Sequence, residues 1–180
     1  MPRSLWVFRV PRDDPNNTQF VLGELFNHGN LRQGWGIPNL DLTLPDHVWI
    51  QNYINGCLQY WNHIATPNEA TERRNILLSM LYMRVNDVIF IPNVSQNQID
   101  ENNFTIVTVS GPYQFQNMAN QPIQDFGHMV FVTRLQGYQF SNHTLPRSIF
   151  GAPFMRCVDQ IQPHWRSYQS FDTFLTAINY

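Results

Sequence analysis

Two short stretches concentrate the side chains that can do chemistry, Gly34-Trp35-Gly36 and Asp125-Phe126-Gly127-His128. A bulky aromatic held between two glycines answers to neither helical nor strand periodicity, and stacking on a planar ligand would give it a purpose. The alternative is a tryptophan that plugs the end of the core beneath a glycine turn. In the second stretch, the glycine permits a turn that aims Asp125 and His128 into a common site. Otherwise Asp125 caps the turn and His128 bonds to backbone. Gly111-Pro112-Tyr113-Gln114-Phe115 adds two aromatics on one face of a strand. Tyr113 and Phe115 complete an aromatic cage with Trp35 if that face lines a pocket, and are cross-strand core if it does not.

Other chemistries are excluded by what is missing. All 11 basic residues are arginine, so a Walker phosphate loop, a Schiff-base lysine and the usual Asp…Glu-x-Lys nuclease site cannot be written in standard form. There is no Gly-x-Ser-x-Gly elbow and no His-Glu-x-x-His. The six histidines lack metal spacing, and apart from His128 they read as surface or capping residues. Cys57 and Cys157 are far apart and read as buried free thiols. No cofactor and no metal site is expected on the main reading. A second reading, an enzyme, would use Asp87, Glu101 or Asp125 to bind a divalent ion in a nuclease-like site whose lysine has been replaced. A third, a protein-interaction or assembly domain, draws on the net charge of −2 and the abundant Asn and Gln, and expects a flat surface.

The elements that must position these residues fit one domain over residues 1–180, since a chain that is 43% hydrophobic at this length buries a single sizeable core. No apolar run approaches the roughly 18 residues that span a bilayer, so no membrane partner and a cytoplasmic location are expected. Leu5 to Val10 reads as a strand, and Thr18 to His28 as a short helix capped by Gly29. Leu31 to Leu42 reads as a loop. Asp46 to Ile64 has the i, i+3, i+4 pattern of an amphipathic helix, with Trp49 and Trp61 in its core face. Thr66-Pro67-Asn68-Glu69 is a capping box that opens a third helix. Asp87 to Pro92, Phe104 to Ser110, Tyr113 to Gln116 and His128 to Leu135 read as antiparallel strands, with Asn93 to Asn103 and Asn117 to Asp125 as loops. A final helix follows Ser170. The order predicts an α+β domain with a curved, barrel-like, mostly antiparallel sheet and packed helices.

Taken together, Leu31-Arg32-Gln33-Gly34-Trp35-Gly36, Val85 to Pro92, Phe104 to Phe115 and Asp125 to His128 resemble the PUA-like superfamily, above all its EVE and YTH-like branch, over most of residues 5–135. The resemblance implies a curved sheet that binds a methylated base flipped into an aromatic pocket, as in the N-terminal readers of McrB-type modification-dependent restriction systems. On that resemblance, Trp35 matches the pocket tryptophan that follows a glycine. Tyr113 or Phe115 stands near a second wall, Asp125 accepts from a base amino group, and His128 belongs to the same pocket. Arg32, Arg134 and Arg147 would meet phosphates around it. The helical stretch 46–83 is longer than in that pattern. The expected partner is modified DNA, with RNA as the other nucleic acid, and a nuclease or motor domain on another segment or subunit. A net charge of −2 opposes nonspecific coating of nucleic acid and is compatible with a small footprint and a pocket.

Overall fold

Leu5, Trp6, Val7 and Phe8 are all buried, which a strand shows only when both faces of its sheet are covered. In the computed structural model, which describes residues 3–121, 123–140, 145, 147–150 and 157–180, this strand, β1 (Leu5–Phe8), lies inside a six-stranded mixed sheet. The other strands are β2 (Asn30–Gln33), β3 (Val88–Ser95), β4 (Gln98–Phe115), β5 (His128–Gln139) and β6 (Val158–Ile161). Their order is β2-β5-β4-β3-β1-β6, with β1 parallel to β3 and the remaining neighbours antiparallel. Between β1 and β3 the chain passes through α1 (Pro15–Gly23), a π-helical turn at Glu24–His28, β2, α2 (Asp46–Trp61) and α3 (Pro67–Tyr82). The last helix is α4 (Arg166–Ala177). The architecture is the α+β arrangement of a curled half-barrel sheet with packed helices that the element order predicts.

Strand alternation divides the core. Trp6, Phe8, Ile89, Ile91, Val107 and Val109 pack on one face with Val21, Leu22 and Leu25 before β2 and Met80 of α3. Leu5, Val7, Val88, Phe90, Phe104 and Ile106 pack on the other with Phe171, Phe174 and Leu175 of α4. Phe90 has the rings of Phe150, Phe171 and Phe174 within 6.5 Å, and its burial contributes about 1.5–3 kcal/mol. A third cluster joins Trp49, Tyr53 and Cys57 of α2 to Ala70 and Leu77 of α3 and to Ile37, Leu40 and Leu42. Arg74, buried on α3, locks this cluster by bonding Leu44 O at 2.8 Å and Asp46 Oδ1 at 2.7 Å. Trp61, expected in the core face of α2, is instead 39% exposed and meets Tyr53 edge-on.

Irregularities bend the sheet. The β4–β5 register shifts between Ile106 and Thr108, opposite left-handed Arg134, and again between Val109 and Tyr113. Such bulges add twist and re-aim side chains. At Gly111, in the second bulge, a Cβ would lie 2.8 Å from the Phe131 ring.

Several boundaries differ from the sequence expectation. The two strands expected at 104–110 and 113–116 are one bent strand. The polar stretch 93–103, expected as a loop, is the β3–β4 hairpin: Ser95 pairs with Gln98 around Gln96 and Asn97, whose φ values of 47° and 65° mark a type I′ turn. Its strands read as loop because Asn, Gln and acidic residues dominate them, with only Val94 buried in the core and Ile99 packed against it. Leu31 to Gln33 pairs with β5 rather than looping, and α4 starts at Arg166, before Ser170. Local signals fared better: Thr66 accepts the Glu69 N–H at 3.2 Å, and Gly29 ends its helix at φ 68°.

Candidate functional site

Trp35 has φ 68°, in a region where a bulky aromatic costs about 1–3 kcal/mol and which the surroundings must enforce. The enforcing contacts come from the segment before β5. The Trp35 N–H donates to Asp125 Oδ2 and the Gly36 N–H to the Asp125 carbonyl, both at 3.2 Å. The two segments are so close that a Cβ at Gly34 would lie 2.8 Å from the Phe126 ring, and one at Gly36 2.5 Å from His128 Nε2. The glycines therefore bring the two motifs into contact, with Trp35 standing out between them. The Arg73 guanidinium on α3 covers one face of the indole at 4.1 Å from the ring centre.

Trp35 and Asp125 line a cavity of about 400 Å3 together with Arg9, Gln33, Asn93 and Cys157. Its floor is apolar, from Val10 and Phe126, and its walls carry polar atoms without protein partners. Gln33 is only 4% exposed, yet its Oε1 has no partner. The same holds for Asn93 Oδ1 and Arg9 Nε. Burying such atoms unpaired costs about 1–3 kcal/mol each, and all three belong to residues that line the one cavity. Asn93 is turned there by a left-handed φ of 61° at the β3 bulge. Arg9, just after β1, gives one guanidinium nitrogen to the Phe150 carbonyl. Burial raises the Cys157 thiol pKa, against a hydrogen bond from Gln33, which keeps the thiol neutral. Burial also raises the Asp125 carboxyl pKa, opposed by the Trp35 N–H.

The other residues expected in the pocket lie behind it. Tyr113, Phe115 and His128 do not line the cavity, which corrects the expected aromatic cage. Phe115 and His128 are cross-strand partners, with ring centres 5.2 Å apart. The Tyr113 hydroxyl is consumed by the Leu42 N–H, Asp41 Oδ1 at 3.2 Å and His128 Nδ1 at 2.9 Å. His128 Nε2 has no partner. Full burial of His128 pulls its pKa down to about 3, against a small pull from Asp41. It is a neutral residue packed behind the cavity.

The three arginines expected at phosphates divide as well. Arg32 is buried, bonded to Glu24, Gln116 and the Phe126 carbonyl, and serves as a wall brace rather than a phosphate contact. Arg134 lies over the Tyr180 ring at 5.5 Å and does not line the cavity. Arg147 lines an adjoining groove that shares Arg9, Pro92 and Asn93 with the cavity. Asp87 is spent on Ser4 N, Trp6 Nε1 and Arg84 N, Glu101 on two arginines, and among the described residues no three His, Cys, Asp or Glu gather to hold an ion.

Sequence reasoning missed Gln33, Asn93, Arg9 and Cys157. One signal was available: a proline inside a strand pattern, at Pro92, marks a bulge and so a re-aimed neighbour. Among the described residues no helix is long and apolar enough to cross a membrane. Compared with known proteins, the chain matches no family model, no curated protein and no solved structure.

Proposed function

We propose that this chain is a binding module that accepts a modified, methylated base of DNA, flipped out of its strand, into the cavity beside Trp35. The observation that carries the reading is the juxtaposition of a strained, outstanding indole with the unpartnered Gln33 Oε1, Asn93 Oδ1 and Arg9 Nε. A planar ligand with hydrogen-bonding edges answers both, through stacking on the indole and edge contacts to the walls. The apolar floor and the neutral thiol of Cys157 suit a methyl group. Asp125, fixed by Trp35, offers its carboxyl to an exocyclic amino group. The likeness of the two glycine motifs to the EVE and YTH-like branch supports the same ligand. On this reading the domain works in the cytoplasm as the specificity element of a modification-dependent restriction system, and a partner domain or subunit supplies nuclease or motor activity.

The test is a comparison of duplexes with and without 5-methylcytosine or N6-methyladenine, and of their RNA counterparts. One modified duplex is expected to bind at least about tenfold more tightly than its unmodified form, a difference of about 1.4 kcal/mol. Trp35→Ala is expected to erase the preference, since stacking on an aromatic contributes about 1–3 kcal/mol per base. Equal affinity for every pair would end the proposal.

A further inference from the structure

Glu101, on the hairpin arm of β4, bridges two arginines at the edge of the site. Its Oε2 lies 2.9 Å from Arg147 and its Oε1 3.5 Å from Arg12. Arg12 lines the cavity and Arg147 the adjoining groove of about 390 Å3, and the two depressions share Arg9, Pro92 and Asn93. A strand whose base enters the cavity has this groove as its continuation. All three side chains of the bridge are open to water, at 41%, 60% and 51% exposure for Arg12, Glu101 and Arg147. Exposed ion pairs of this kind add little to stability, so holding the fold together does not account for the arrangement. Guanidinium forks match phosphate oxygens as well as carboxylate ones.

We propose that Arg12 and Arg147 form a backbone-phosphate subsite of the nucleic-acid path, and that Glu101 occupies it in the free protein as a carboxylate competitor. The inference rests on the nucleic-acid reading above. Glu101 then works as a residue that lowers overall affinity for nucleic acid and touches no base. A strand must displace the carboxylate before it gains the phosphate contacts, so charge alone holds DNA poorly, and the base contacts decide which strands stay. The chain thereby keeps its arginines without becoming a general DNA binder, in keeping with a net charge of −2.

The experiment measures dissociation constants of labelled modified and unmodified duplexes between roughly 50 and 200 mM salt, for the wild type, Glu101→Gln, Arg12→Ala and Arg147→Ala. Thermal midpoints serve as the folding control. Glu101→Gln is expected to tighten both duplexes by a similar factor and to steepen the slope of log affinity against log salt by about one. Each arginine variant is expected to weaken both and to flatten the slope by about one. The ratio between modified and unmodified duplex stays that of the wild type. If Glu101→Gln alters neither affinity nor slope, or weakens binding, while the wild type still discriminates, the competitor role is overturned and the base-reading function stands. If Glu101→Gln tightens binding in a protein that never discriminates, the subsite stands and the base reading falls. If neither protein binds any duplex, both fall.

Discussion

Replacing Trp35 by glycine and by alanine separates the strain of its backbone from the loss of its ring. Both variants lose the indole, its contact with Arg73 at 4.1 Å and its share of the cavity wall. They differ only in tolerance of φ 68°. Left-handed backbone costs an L-residue about 1–2 kcal/mol and glycine almost nothing. Against this, glycine raises the entropy of the unfolded chain and loses about 0.4–1 kcal/mol relative to alanine. The balance makes Trp35→Gly more stable than Trp35→Ala by about 0.5–1 kcal/mol, the reverse of the order at an ordinary position. For a domain of this size that corresponds to roughly 1–4 °C in thermal midpoint. Circular dichroism melts and urea titrations of the two variants read it directly, and both variants are expected to lose preference for the modified base. Alanine equal to or above glycine would refute the claim that residue 35 is held in a strained conformation, and with it the argument that the strain serves a ligand.

Two further predictions concern buried residues outside the cavity lining. Because the folded-state pKa of His128 is about 3 against an ordinary 6.5, the unfolded chain binds the proton between those values and the folded chain does not. Its contribution is therefore complete above pH 6.5 and declines as pH falls toward 3, with a slope of at most about 1.4 kcal/mol per unit. Urea titrations between roughly pH 5 and 6.5 should show that slope in the wild type and its loss in His128→Gln; identical slopes in both would contradict a neutral buried imidazole. For Arg32→Met, breaking the pair with Glu24 in a largely buried setting is expected to cost about 3 kcal/mol in urea stability. The salt slope of DNA binding should stay as in the wild type, and a flattened slope would return Arg32 to the phosphate contacts.

Features decided by a few neighbouring atoms were legible in the sequence. The Thr66–Glu69 cap closes over three residues, and Gly29 stops a helix by its own steric freedom. The glycines beside Trp35 announce a close approach without naming what approaches. The helices at 46–61 and 67–82 follow from apolar periodicity, and the curved α+β sheet from the order of elements. The cavity walls were not legible, because Arg9, Gln33, Asn93 and Cys157 belong to separate segments that meet only when β1 inserts between β3 and β6. Periodicity reports which face of an element is buried, not which neighbour buries it. Tyr113 and Phe115 share a face as strand alternation required, yet the β4 bulges and the bonds to Asp41, Leu42 and His128 place that face behind the pocket. Arg32 and Arg147 are the same residue type, each paired to one glutamate. Burial beside Glu24 makes the first a brace, and exposure beside Glu101 leaves the second open to exchange. Local sterics and hydrogen bonds are written in residue type, whereas burial and charge pairing depend on which distant segments pack together, and that only the tertiary structure decides.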